Sequence, residues 1–140
     1  MFVTYPAIFY KDIDSKGYVV VFPDFEEGAT QGEDENDAMC SAQDWLGCVL
    51  YDYFVEQKEF PKASSIEEIS IVDKDYWNAN KSFKTLVGLD IVDYVKKVDK
   101  KTVRKTLTIP SYLNEMAKSR GINFSQLLQD ALKQEFDIED

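Results

Sequence analysis

The sequence predicts an α+β fold in two modules. Residues 1–98 read as an antiparallel sheet carrying one main helix in the order β-β-β-α-β, and residues 99–140 as a small β-α-α unit. Three observations predict this. Runs of β-branched and aromatic residues separated by polar turns open the chain, a single long helical periodicity follows, and both pattern and charge change near residue 99. Residues 1–80 hold 5 basic and 17 acidic side chains, whereas residues 81–140 hold 11 basic and 9 acidic. Between Lys96 and Lys105 six basic residues face only Asp99. An acidic module joined to one with a local cationic run suggests partners of opposite sign.

The stretch "FVTYPAIFY", the polar turn "KDIDSKG" and the run "YVVVF" read as a hairpin, with Pro6 expected on an edge or at a bulge. A short third segment, Ala29 to Gly32, precedes the helix. In that helix Ala38, Met39, Ala42, Trp45, Leu46, Val49, Leu50 and Tyr53 recur at three- and four-residue steps. Asp34 and Asp37 stand where a cap and a first-turn carboxylate favour the positive helix end. "SIEEISIV" suggests a further strand, residues 73–83 a loop, "KTLVGLDI" a returning strand, and "VDYVKKV" about two helical turns.

The second module opens on a strand in which Val103, Leu107 and Ile109 share one face while Arg104, Thr106 and Thr108 share the other. Pro110 is expected at the first position of a helix that ends at Gly121. Asn123 as N-cap, Gln126 as its capping-box partner and Ile122 against Leu127 signal the second helix. A strand and two helices in so short a segment cannot bury a sufficient core, so the unit must pair with a copy of itself or dock elsewhere. Two such strands paired antiparallel form a ribbon that fits the major groove of B-DNA.

Composition narrows the chemistry. The chain has no histidine, which removes the commonest general base and metal ligand and every Ser/His or Cys/His nucleophile pair. Cys40 and Cys48 are too far apart along a helix for a disulfide and read as buried thiols. No apolar run is long enough for a bilayer span and no leader is visible, so a cytoplasmic protein with no membrane association is expected.

At "VRKTLTIPSYLNEMAKSRGINFSQLLQDALKQEF" the chain resembles the ribbon-helix-helix family of DNA-binding proteins. The resemblance implies base reading by Arg104, Thr106 and Thr108. It also implies phosphate contact from Asn123, Phe124 and Ser125 at the start of the second helix. Lys100, Lys101 and Lys105 are expected to reach phosphates through their charge. Lys105 departs from the family, which usually has an aliphatic residue there. The dimer interface is expected to use Leu107, Ile109, Leu113, Met116, Leu127, Leu128 and Leu132, in a homodimer or a higher even oligomer.

The opening "YPAIFYKDIDSKGYVVVFPDFEEGATQGEDENDAMCSA" is similar to HicB-type antitoxins of type II toxin-antitoxin systems. That resemblance implies a reduced ribonuclease H-like first domain that binds a small basic HicA-type toxin, a ribonuclease acting on messenger RNA. It further implies a C-terminal part that represses the shared operon at its operator DNA, no enzymatic activity and no cofactor. Two alternatives come from other classes: a metal-dependent nuclease using Asp12, Asp14, Asp24, Glu26 and Glu27, and a ribbon-helix-helix repressor whose first domain senses a small ligand. The five carboxylates lie around turns, where a solvated or docking surface is expected rather than a two-metal centre.

Overall fold

The computed structural model describes residues 1–26 and 28–139. The chain divides into two compact units, Met1–Asp99 and Lys100–Asp140. In the first, β1 (Phe2–Asp12), β2 (Tyr18–Val21), β3 (Ala29–Gly32) and β4 (Trp77–Asp90) form one antiparallel sheet in the order β3-β2-β1-β4. Helix α1 (Glu35–Val55) covers one face, and α2 (Ile91–Val98) follows β4 directly.

The run "FVTYPAIFY" is apolar at nearly every position because β1 is buried on both faces. Tyr5, Ala7 and Phe9 point to the main core with Tyr18, Val20, Val87 and Leu89. Ile8 and Tyr10 point the other way and pack with Ile69 under Ile66, Ile71 and Trp77. Pro6 is opposite Leu86 of β4, while β2 pairs with β1 only from Ile8 onward. The missing amide of Pro6 therefore falls where β1 has no second neighbour, locally an edge.

Helix α1 starts where Asp34 accepts the Asp37 amide at 2.8 Å. Ala38, Ala42, Leu46 and Leu50, spaced four apart, are fully buried against the sheet. Phe22 and Trp45 stack at 5.0 Å and extend this core. α2 is capped by Asp90, which accepts the Val92 and Asp93 amides. It lies on α1 through Tyr94, whose ring fills the space that a side chain at Gly47 would occupy.

Three expectations change. "SIEEISIV" is no strand: it forms a 3-10 turn at Ile66–Glu68 and then runs irregularly over the outer sheet face. Its polar backbone is satisfied by side chains, Lys84 Nζ donating to the Ile66 and Ile69 carbonyls and the Val72 amide donating to Tyr10 Oη. Residues 73–83 are not all loop, since β4 begins at Trp77, and Trp77 stacks on Tyr10 at 5.3 Å. The register breaks between Phe9 and Lys11, where Ser82 plugs the gap. Its Oγ accepts the Lys11 amide at 2.9 Å and donates to the Asn78 carbonyl at 2.8 Å. Finally, Cys40 and Cys48 are exposed. Each stands two residues past a core position, Ala38 or Leu46, and at about 100° per residue that turns it roughly 200° away from the sheet.

Ser82 is the one buried polar side chain among the described residues. Ser82→Ala leaves a buried amide and carbonyl without their bridge, and should cost about 1–3 kcal/mol in urea unfolding. A reduction under about 0.5 kcal/mol would mean that Ser82 does not hold the β1–β4 register.

Candidate nucleic-acid interface

The second unit begins with eleven residues, Lys100 to Pro110, that carry no helix or strand and are all exposed. The expected strand across Val103–Ile109 is thus not assigned in this chain. A strand exists only as one side of a hydrogen-bonded ladder, and among the described residues no strand of the same chain pairs with it. Lys100, Lys101, Arg104, Lys105, Thr106 and Thr108 are all solvent-facing along this segment. So are the apolar Val103, 80% exposed, and Leu107, 63% exposed.

Two helices follow, α3 (Ser111–Arg120) and α4 (Phe124–Glu135). Pro110 is the N-cap of α3 rather than its first helical residue, with ψ at 142°. Its extended ψ keeps it outside the helix, and its side chain supplies no cap hydrogen bond. Gly121 ends α3 at φ 70°, in the left-handed region where a glycine is at ease. The Gly121 and Ile122 amides close on the Lys118 and Ala117 carbonyls. Asn123 caps α4 by accepting the Gln126 amide at 3.0 Å. The reciprocal half of the expected capping box is not made, because the Gln126 amide group donates instead to Asp130 at 2.8 Å.

These elements leave an open apolar groove of about 730 Å³ lined chiefly by Ile109, Leu113, Met116, Ala117, Phe124 and Leu127. Only Ala117 is buried among the described residues of this unit, at 8% exposure. Leu128 is half-buried, and Leu132, Leu127, Met116, Leu113, Ile109 and Leu107 are exposed. Among the residues expected at phosphates, the Asn123 carbonyl oxygen is engaged by its cap and Ser125 Oγ accepts from Gln129 at 3.3 Å. Phe124 lines the apolar groove and is 44% exposed.

Of the five carboxylates, Asp12 and Asp14 line one surface cavity while Asp24 is held elsewhere. Asp12 accepts from Ser15 Oγ at 2.7 Å, which holds its carboxyl below the usual range. Asp14 lines a surface cavity beside the β1–β2 turn. Asp24 is tied to the Ser64 amide and hydroxyl, Glu26 is exposed, and Glu27 lies outside the described residues. Among the described residues no three His, Cys, Asp or Glu side chains are gathered so as to hold a metal ion. No helix among them is long and apolar enough to cross a membrane. Tyr94 is pushed up to about 12 by burial first and then by Asp44 and Cys48.

Residues 4–72 match the family model described as the HicB-like antitoxin of bacterial toxin-antitoxin systems. A chain of a toxin-antitoxin complex from Streptococcus pneumoniae is 36% identical and superposes with a TM-score of 0.64 over 96% of this chain and 99% of that one. The chain belongs to the HicB-like antitoxin family. The family match runs from β1 through the irregular segment after α1 and stops short of β4 and the whole second unit. Antitoxin HicB 2 of Photorhabdus laumondii subsp. laumondii is 36% identical over 61 residues, which are 44% of this chain and 42% of that relative. The Burkholderia pseudomallei antitoxin HicB shares the fold, at 21% identity and a TM-score of 0.51 over 96% of this chain and 97% of that one.

Helices of 10 and 12 residues with one buried side chain between them are too short to persist on propensity alone. A peptide of residues 100–140 should therefore show helical circular dichroism that falls on dilution from about 100 μM to 1 μM. Full helicity unchanged across that range would mean that the unit is stable without covering its groove.

Proposed function

We propose that this chain is an antitoxin that binds and neutralises a small basic HicA-type mRNA-cleaving toxin and represses its own operon through Lys100–Asp140. That unit acts as a ribbon-helix-helix dimer. One observation carries the DNA-binding half: an exposed cationic segment that forms no strand in the single chain precedes helices of matching pattern with an open apolar groove. A second copy satisfies both needs at once. It pairs the segment's backbone into a two-stranded ribbon and covers Leu113, Met116 and Leu127. The ribbon then presents Arg104, Thr106 and Thr108 twice, a width suited to the major groove. Lys100, Lys101 and Lys105 supply charge for phosphates.

The toxin-binding half is supported by the family match over residues 4–72 and by the acidic balance of the first 80 residues. Both favour a cationic protein partner for the first unit over a small ligand. Electrostatic complementarity speeds such association and makes it salt-dependent.

The two halves separate in one experiment that measures binding to the chain's own promoter and to a scrambled duplex, with toxin neutralisation in a growth assay alongside. Arg104→Ala should lose roughly 1–3 kcal/mol on the promoter and much less on the scrambled duplex. Lys101→Ala should weaken both similarly and flatten the salt slope by about one unit for each phosphate that is no longer neutralised. Leu127→Asp leaves a side chain that is 55% exposed in the single chain still hydrated, but would bury a charge between two copies. It should abolish dimerisation and promoter binding while toxin neutralisation persists. An unchanged Leu127→Asp oligomer that still binds DNA would rule out the ribbon-helix-helix dimer.

A further inference from the structure

We propose that the outer edge of β4 is a self-pairing surface through which the first units of two copies join their sheets. It is a second contact, independent of the Lys100–Asp140 dimer. β4 stands at one end of the sheet, and among the described residues no strand lies beyond it. The direction of its backbone groups follows from the ladder. The Ile91 amide donates to the Met1 carbonyl at 3.1 Å. In the unbroken register that continues from there, Leu89, Val87 and Thr85 bond to β1, while Gly88, Leu86 and Lys84 turn their amides and carbonyls outward. Two details agree. Leu86 is opposite Pro6, which has no amide to give, and Gln43 Nε2 reaches from α1 to the Gly88 carbonyl at 2.7 Å. Among the described residues the other outward groups find nothing better than a 3.5 Å contact from Thr85 Oγ1 to the Leu86 carbonyl.

A long edge is normally guarded by a bulge, a proline or a lysine. The stretch from Phe83 to Asp90 has none of these in place. Its register with β1 is unbroken, it contains no proline, and Lys84 bends its ammonium back to the Ile66 and Ile69 carbonyls, 3.0 Å from each. Phe2 and Leu86 lie on the outer sheet face beside the edge, 68% and 50% exposed, and the Phe2 ring fills the space that a side chain at Gly88 would need. Charge selects the occupant. Residues 1–99 hold 20 acidic and 9 basic side chains, yet no acidic one falls between Phe2 and Tyr10 of β1 or between Trp77 and Leu89 of β4. Asp90, at the end of the strand, is engaged by the α2 cap and the Met1 ammonium. A second copy can therefore approach along this side with no carboxylates opposed, whereas a cationic partner finds no anion on these strands to pair with. A two-fold axis at Leu86 sets Leu86 against Leu86 and Lys84 against Gly88 of the second copy, so no like charges stand opposite one another. The pairing covers Phe2 and Leu86 of both copies. The core of each unit stands without it.

The test uses the full chain carrying Leu127→Asp, which removes the ribbon dimer but not this contact. Sedimentation velocity at about 100 μM should give a dimer that dissociates toward about 1 μM. Hydrogen exchange in the concentrated sample should slow the Lys84, Leu86 and Gly88 amides at least about tenfold relative to the dilute one. Adding Leu86→Asp sets two carboxylates face to face on the axis, and adding Leu86→Pro removes the central outward amide without touching a β1–β4 bond. Each should give a monomer, with circular dichroism establishing that it is folded. Because the two units repel through their net charge, association should strengthen severalfold between about 20 and about 300 mM salt. A Leu127→Asp chain that is monomeric at about 100 μM with these three amides unprotected would overturn the proposal. So would a dimer that both Leu86 variants leave intact, or an association that weakens with salt. If Leu127→Asp keeps the whole wild-type mass, the ribbon dimer is what fails, and concentration-dependent protection of Lys84, Leu86 and Gly88 still decides the β4 contact.

Discussion

A β-strand is a half-object, since its amides and carbonyls need a neighbouring backbone. Among the described residues no strand of this chain pairs with the segment before α3, and much of the molecule's logic depends on that. The segment before α3 alternates as a strand would, yet it stands fully exposed with Val103 and Leu107 in solvent. Of the two helices after it, Gly121 ends the first and Asn123 caps the second, but they enclose almost nothing. Good capping supplies about a kcal/mol at each end, far less than the ordering of some 20 helical residues costs. In the proposed dimer the missing stabilisation comes from burial between chains. That requirement makes assembly and DNA recognition one event in the proposed function, because pairing the segment is what creates a surface able to enter a groove.

The first unit is built on the opposite principle. β1 is its axis, paired with β2 and β4 and buried on both faces, by α1 on one side and by the irregular Ile66–Ile71 segment on the other. Such a strand needs no second copy. Its polar groups are also closed internally, with Ser82 spanning the register break and Lys84 and Tyr10 serving the irregular segment. The carboxylates are left at the surface, and their repulsion is tolerated because the core stands without them. In the proposed function the acidic, self-sufficient unit and the incomplete one each meet their own partner.

Legibility in the sequence followed the range of the interactions. The Asp34 and Asn123 caps, the Gly121 stop and the four-residue stripe from Ala38 to Leu50 are local signals, and the helices form where they point. The irregular outer segment was hidden because isoleucines at 66, 69 and 71 among polar residues serve equally for a strand or for a strap laid on a sheet. The early start of β4 was hidden because the residues after Trp77 are mostly polar, as an edge strand permits, and because Ser82, which bridges its register break, bonds to Lys11, 71 positions away. The exposure of Cys40 and Cys48 could have been read from their angle to the stripe. At the candidate interface the residue types and their order were visible. Two details were not: Phe124 facing the groove, and Gln126 turned toward Asp130, since each depends on which neighbour lies nearest in space.

Hydrogen exchange across residues 102–109 tests the central claim most directly, measured on the full chain at concentrations where it is assembled. Paired antiparallel with a second copy, alternate amides from Val103 to Ile109 should exchange at least about a hundredfold more slowly than in an unstructured peptide. The protection should disappear on dilution to the monomer. Exchange at unstructured rates throughout this segment in an assembled sample would contradict the claim that the second chain supplies the missing strand.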